Sequence, residues 1–150
     1  MISATNPGNV RYNPAFSGII GNKNGFSVFR NDGYGYKAIY SILGTYLNSY
    51  GLNTISEIAS RYAPTSENNT NLWIQTVSQV SGISPNQTIS SMDFYRIISG
   101  IVRIENGIQI SPEEIQKKIN SASTFNFLPL LIISAIFGTF YFIGNGKAKI

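Results

Sequence analysis

The sequence predicts a mainly helical fold, with one short β-hairpin before the helices and a transmembrane helix near the C-terminal end. Apolar residues recur at helical spacing between residues 39 and 50, and several later segments begin with helix-capping patterns. A third observation concerns residues 127–143, which carry no charged side chain and therefore predict a membrane-spanning segment.

The first third of the chain is predicted to contain turns and short extended pieces. Residues 25–30 alternate in a way that favours a strand, which would form part of a small hairpin. The following stretch, NDGYG at residues 31–35, is typical of a turn. The first helix is predicted from Tyr36 to Tyr50, where Gly51 closes it.

The remaining helices are predicted from their caps and apolar faces. Thr54 and Glu57 form a capping box, and Ser111 precedes a proline and two acidic residues in a typical helix start. The predicted helices cover residues 55–61, 71–81, 91–106 and 112–120.

These elements predict a folded domain followed by a membrane anchor. As a helix, residues 127–143 would span roughly 25 Å, against about 30 Å for a hydrocarbon core, and a buried core helix is the alternative. No signal peptide precedes the domain, which favours a tail anchor. The predicted organisation is a domain at 1–120, a linker at 121–126, a transmembrane helix at 127–144 and a basic tail at 145–150.

Composition excludes several kinds of catalytic site. The chain has no cysteine and no histidine, so disulfides, cysteine nucleophiles, Ser-His-Asp triads and ordinary zinc sites are excluded. We expect no metal and no cofactor. The net charge is +4, but the 11 basic residues are scattered, so nucleic-acid binding is not expected. A catalytic acid or base would come from the seven acidic residues, with Tyr or Lys as the fallback.

Most of the acidic residues have a structural explanation. They occupy a turn, a capping box or the first turn of a helix, where a negative charge is favourable. These are Asp32, Glu57, Asp93, Glu113 and Glu114.

Glu105 is the first predicted catalytic residue. Its spacing from Phe94 and Ile101 places it on the apolar face of its helix, and it lies in the last turn, where the helix dipole disfavours a carboxylate. Both effects predict a raised pKa, which suits a general acid. The alternatives are an ion pair with Arg103 or a frayed, solvated helix end.

Glu67 is the second candidate, within the polar loop PTSENNT. Its alternative is a purely structural role, as the N-cap or a first-turn acid of the helix that follows.

Three stretches together resemble a group of small phage virion proteins. They are NPGNVRYN at residues 6–13, RYAPTSENNTNLWIQTV at 61–77 and IVRIENG at 101–107, and the resemblance covers about residues 5–120. Proteins of this group are described as minor structural proteins or as peptidoglycan-processing virion enzymes. The resemblance implies a location in the virion, contacts with other virion proteins and, with the predicted tail, a viral internal membrane.

A more distant resemblance is to lysozyme-like glucosaminidases and lytic transglycosylases, with the motifs in circularly permuted order. IVRIENG resembles the helix that ends at the catalytic glutamate of those enzymes, and NPGNVRY resembles their Asn-rich turn. The resemblance implies a lysozyme-like domain with Glu105 as the catalytic acid. The residues implied in peptidoglycan binding are Asn6, Asn9, Arg11, Tyr62, Asn68 and Trp73.

Two functions are therefore open. The first is a membrane-anchored virion enzyme, a lytic transglycosylase that cleaves peptidoglycan glycan strands during cell entry. A transglycosylase needs one carboxylic acid, whereas a two-carboxylate hydrolase would need a partner, for which Glu67 is the candidate. The second is a non-catalytic minor structural protein that links capsid and internal membrane. The enzyme hypothesis predicts that Asn9 and Arg11 lie beside Glu105.

Overall fold

The computed structural model describes residues 5–124, which form one hairpin followed by a set of packed helices. The two strands pair in antiparallel fashion, and a short 3-10 helix at Ser91–Asp93 leads into the fourth α-helix. In chain order the elements are β1 (Ile19–Lys23), β2 (Phe26–Phe29), α1 (Asp32–Tyr50), α2 (Ile55–Tyr62), α3 (Thr70–Ser81), α4 (Phe94–Asn106) and α5 (Pro112–Thr124).

The hairpin turns through Asn24 and Gly25, which both have positive φ angles of 52° and 83°. Two such residues allow the tight two-residue turn whose twist matches that of the strands. The N-terminal loop then lies alongside the hairpin. The Ser27 amide donates to the Val10 carbonyl at 3.0 Å, and the Tyr12 amide donates to the Gly25 carbonyl at 2.8 Å. The hairpin therefore anchors the start of the described chain.

Helix α1 begins at Asp32, so the turn predicted at residues 31–35 is wrong. Asn31 is the N-cap and accepts from the Tyr34 amide at 3.3 Å. The two glycines that suggested a turn instead permit close packing. A Cβ at Gly33 would lie 2.4 Å from the Lys118 carbonyl oxygen, and one at Gly35 would lie 2.5 Å from Pro7.

Helices α3 and α4 pack closely at the centre of the domain. A Cβ at Gly100 would lie only 2.7 Å from the Val77 Cα, so the absence of a side chain brings the two backbones together. The largest side chains of the core come from α1 to α4, from the hairpin and from the loop that follows α3. They include Phe29, Tyr36, Leu43, Ile58, Trp73, Ile83, Phe94 and Ile101.

Helix α5 packs against α1 and extends further than predicted. It ends at Thr124, so residues 121–124, predicted as linker, are helical. Ala122 is buried, and the Lys37 ammonium donates to the Ser123 hydroxyl at 3.1 Å. Small and apolar side chains in the final turns let the helix stay packed on α1 beyond Asn120.

The predicted fold class needs correction. Among residues 5–124, no helix is both long and apolar enough to cross a membrane, so the described fold includes no membrane-spanning helix. The longest of these helices, α1, carries Asp32, Lys37 and several tyrosines along its length. The segments predicted as transmembrane helix at 127–144 and basic tail at 145–150 lie outside the described residues. The structure is a mainly helical domain with a short β-hairpin.

Candidate functional site

The loop at residues 5–13 is organised around Asn6, whose side chain is completely buried. Its amide nitrogen donates to the Val10 carbonyl at 3.0 Å and to the Ser27 carbonyl at 2.9 Å, and its oxygen accepts from the Val10 amide at 2.8 Å. Through these bonds the buried side-chain amide of Asn6 is fully paired, and it gives the Val10 amide an acceptor within the loop. Asn6, predicted to bind substrate, thus supports the loop and has no surface open to a ligand.

The same loop is held against the rest of the domain by Tyr62 and Asn106. The Tyr62 hydroxyl donates to the Gly8 carbonyl at 2.8 Å, and the Asn106 amide donates to the Pro7 carbonyl at 2.7 Å. Gly8 is required here, because a Cβ would lie 2.7 Å from the Tyr62 hydroxyl and 2.5 Å from Ile39. The loop is therefore fixed to the ends of α2 and α4.

Glu105 lies in the last turn of α4, half-buried beneath this loop. Its Oε2 accepts from the Asn9 amide nitrogen at 2.9 Å, and its Oε1 accepts from the Trp73 indole Nε1 at 3.1 Å. Asn9 has a positive φ of 49°, a conformation that Asn tolerates better than most residues. The predicted contact between Asn9 and Glu105 is confirmed.

Burial raises the pKa of the Glu105 carboxyl above its ordinary value, although the hydrogen bonds from Asn9 and Trp73 act in the lowering direction. The alternative of an ion pair with Arg103 is not found, since that guanidinium donates to the Gly107 carbonyl at 3.0 Å. Burial and the nearby Glu105 also raise the pKa of Tyr62 well above its ordinary value. The carboxyl group thus lies in a place that favours its neutral form.

Glu67 and Arg11 lie on the surface and pair with each other. The Arg11 Nη2 and the Glu67 Oε2 are 2.5 Å apart, and the two side chains are 65% and 55% exposed. The Arg11 guanidinium also lies over the Phe26 ring, 5.2 Å from its centroid. Arg11 therefore contacts Glu67, whereas its predicted contact with Glu105 is not found. The expected N-cap role of Glu67 falls instead to Asn69, which accepts from the Leu72 amide.

The two remaining predicted binding residues differ in exposure. Trp73 is 2% exposed, and its ring packs against Tyr62 with the centroids 5.6 Å apart. The Trp73 ring therefore has no free face for a sugar. Its indole N–H donates a hydrogen bond to the Glu105 carboxyl group. Asn68 is exposed in the loop between α2 and α3, where its backbone amide donates to the Pro64 carbonyl.

A groove of about 620 Å³ runs between the N-terminal loop and helices α1 and α2. This volume is within the range of sites for small ligands. Asn9 and Tyr62 belong to its lining, whereas Glu105, which accepts a hydrogen bond from Asn9, does not. Its other wall is formed by Ser41, Thr45, Tyr46, Tyr50 and Arg61.

Sequence reasoning missed two groups of residues at this site. One is Asn106, which follows Glu105 directly and contacts Pro7 and Asn9; its place in the IENG motif was the available clue. The other is the tyrosine-rich wall from α1: helical spacing places Tyr46 and Tyr50 on one helix face, but it does not indicate that they border a groove. Tyr50 is 51% exposed, since the last turn of α1 extends beyond the core.

Comparison with known proteins gives one relevant similarity. The chain is 37% identical over 82 residues to Protein P5 of Pseudoalteromonas phage PM2, which is 55% of this chain and 51% of that protein. The chain therefore spans about half the length of the relative it matches. No protein-family model matches the chain. The predicted resemblance to a phage protein is confirmed, whereas the lysozyme-like resemblance is not shown.

Proposed function

We propose that this chain is a structural component of a phage particle. The observation that carries the proposal is the 37% identity to Protein P5 of Pseudoalteromonas phage PM2. The domain also suits such a role, because its N-terminal loop, hairpin and helices are joined by many buried contacts. Its partners would then be other proteins of the particle.

The test is to locate the chain in purified particles. Particles of a phage that encodes this chain are banded on a density gradient, and their proteins are quantified by mass spectrometry. We expect the chain to band with the particles in a constant ratio to the major capsid protein. A replication protein of the same phage is the negative control. Abundance in infected cells without enrichment in the banded particles would contradict the proposal.

A second function is cleavage of the glycan strands of peptidoglycan, and the environment of Glu105 favours it. A general acid at neutral pH must retain its proton, and burial raises the pKa of this carboxyl group. Similar burial tunes the acid of known glycosidases. Asn9 and Trp73 fix its orientation through one hydrogen bond to each oxygen.

The reaction would be that of a lytic transglycosylase. Glu105 donates its proton to the glycosidic oxygen as the bond from the anomeric carbon breaks. The carboxylate then takes a proton from the 6-hydroxyl of the same sugar, whose oxygen bonds to the anomeric carbon. The product is a 1,6-anhydro sugar, with no water consumed and the glutamate returned to its acid form. One carboxyl group is enough for this route, unlike the paired carboxylates of the usual glycosidases.

A structural role for the same glutamate remains the competing explanation. The carboxyl group links the loop at Asn9 with α3 at Trp73, and both of its oxygens have partners. Glu67, the other predicted catalytic residue, is exposed and paired with Arg11. It is the residue to test if two carboxylates take part.

Zymograms and product analysis distinguish these explanations. The full chain, Glu105→Gln and Glu67→Gln are incubated with purified Gram-negative peptidoglycan after circular dichroism has shown that each is folded. The transglycosylase hypothesis predicts 1,6-anhydro products and a loss of about 10²–10⁴-fold in rate for Glu105→Gln only. Equal rates for all three proteins would exclude both glutamates as the acid. No activity in the folded wild-type chain would leave the structural role.

A further inference from the structure

Arg61, at the end of α2, differs from the arginines that the domain uses for ion pairs. Arg11 pairs with Glu67 and Arg96 pairs with Asp93. The Arg61 guanidinium instead lies over two rings, 4.0 Å from the Tyr50 centroid and 5.9 Å from the Tyr46 centroid. Among residues 5–124 it has neither an ion-pair partner nor a hydrogen-bond acceptor. Its charge is therefore held in place by stacking, with its N–H groups open to a ligand.

The Arg61 guanidinium lies in the groove. Arg61 is exposed and belongs to the groove wall, together with the tyrosines on which it stacks. The other charged groups of the lining, Arg11 and Glu67, form a pair with each other. The groove consequently presents one uncompensated positive charge, in a planar group that binds a carboxylate through two parallel hydrogen bonds.

The rest of the groove suits a sugar chain. Tyr12 and Tyr50 are 40% and 51% exposed, so each offers part of an aromatic surface to the apolar face of a sugar ring. Ser41 and Thr45 also belong to the groove lining, and their hydroxyls can bond sugar hydroxyls or acetamido groups. A mixture of aromatic surface and a few convergent polar groups is typical of ligand sites.

We propose that the groove binds an acidic glycan, with Arg61 pairing with a carboxylate carried by the sugar. The substrate class is an N-acetylhexosamine chain in which one sugar bears a free lactyl carboxylate, as in peptidoglycan glycan strands that have lost their stem peptides. For its glycan class this inference rests on the second function proposed above. It goes further in assigning Arg61 as the residue that selects acidic over neutral glycans.

The experiment compares two soluble ligands that share a backbone. The full chain is titrated by calorimetry with peptide-free glycan fragments whose N-acetylmuramic acid carries a free lactyl carboxylate, and with N-acetylglucosamine oligomers of equal length, which have no carboxylate. We expect the acidic glycan to bind about tenfold more tightly, because its carboxylate accepts charge-assisted hydrogen bonds from the Arg61 guanidinium. The preference should weaken as salt concentration rises.

Matched arginine variants identify the residue that is responsible. Arg61→Gln should remove the preference for the acidic glycan, whereas Arg61→Lys should retain part of it. Arg96→Gln is the control, because Arg96 pairs with Asp93 at the opposite end of α4 from Glu105. It should bind both ligands as the wild type does. Circular dichroism checks that each variant is folded.

The outcomes separate the assignment of Arg61 from the proposed cleavage by Glu105. Equal affinity of the wild type for both glycans, or a preference that survives in Arg61→Gln, would overturn the assignment of Arg61 without touching cleavage by Glu105. Failure of the folded chain to bind either glycan would overturn this inference and the glycan function together. A preference that depends on Arg61 in a chain that cleaves nothing would support the inference and reject only the enzymatic activity.

Discussion

At the scale of the residue, Glu105 shows how three weak influences act on one side chain. It lies at the negative end of a helix dipole, it is half-buried, and its two oxygens accept from Asn9 and Trp73. The helix dipole and burial favour the neutral carboxyl group, whereas the hydrogen bonds favour the carboxylate. Burial has the largest effect on the pKa of Glu105, so the pKa is raised.

The raised pKa of Glu105 predicts how stability depends on pH. Because the folded state holds this proton more tightly than the unfolded chain, the contribution is fully present below the unfolded pKa of about 4.3 and is lost as pH rises through the folded pKa. Urea unfolding at pH values from 4 to 8 should therefore show the wild type losing stability relative to Glu105→Gln as pH rises. A difference between the two proteins that stays constant across this range would contradict the prediction.

The sequence predicted part of this residue-scale arrangement. The spacing of Glu105 from Ile101 placed it on the apolar face, and the motif resemblance placed Asn9 beside it; that contact is present at 2.9 Å. The hydrogen bond from Trp73 could not be predicted, because it depends on how closely α3 and α4 approach. Arg11 was misplaced because its long side chain reaches Glu67 on the surface.

At the scale of the element, glycines decide where helices meet. Gly100 lets α4 approach the backbone of α3 at Val77, and Gly33 lets α1 approach α5 at Lys118. In the sequence both resemble helix-weakening residues. The start of α1 was therefore mistaken for a turn, since the partners of its glycines lie far away in the chain. The hairpin at Asn24 and Gly25, by contrast, carries the ordinary Asn-Gly turn pattern.

A pair of glycine substitutions tests this explanation. Gly100→Ala should destabilise the domain by about 1–3 kcal/mol, because the new Cβ would lie 2.7 Å from the Val77 Cα and force the helices apart. Gly44→Ala is the control within α1, since a Cβ there meets no atom within 4 Å. It should stabilise by about 0.5–1 kcal/mol through helix propensity alone. If Gly100→Ala and Gly44→Ala shifted the urea midpoint equally, contact between α3 and α4 would not be the cause of the change in stability.

At the scale of the whole molecule, the ends of the described chain are connected to its centre. The N-terminal loop bonds to the last residues of α4, and α5 packs on α1 at Gly33 and Ser123. Such connections between distant segments favour a single cooperative unfolding transition. They also make the surroundings of Glu105 part of the same packed unit as the helices.

The sole tryptophan provides the test of this cooperativity. Trp73 fluorescence reports on the surroundings of Glu105, whereas far-ultraviolet circular dichroism reports on all helices. The two signals should change at the same urea concentration and with the same slope. A fluorescence transition at clearly lower urea would mean that the site opens before the helices unfold.

The bond between Asn9 and Glu105 also has a consequence for synthesis of the protein. Translation proceeds from the N-terminus, so Asn9 leaves the ribosome 96 residues before its partner. At about 5–20 residues per second, the loop waits roughly 5–20 s for the helix that orders it. The buried bond from Asn6 to the Ser27 carbonyl can form for most of that interval, because Ser27 emerges long before α4. The N-terminal part of the site can therefore form early in translation, and the site is complete only after α4 has emerged.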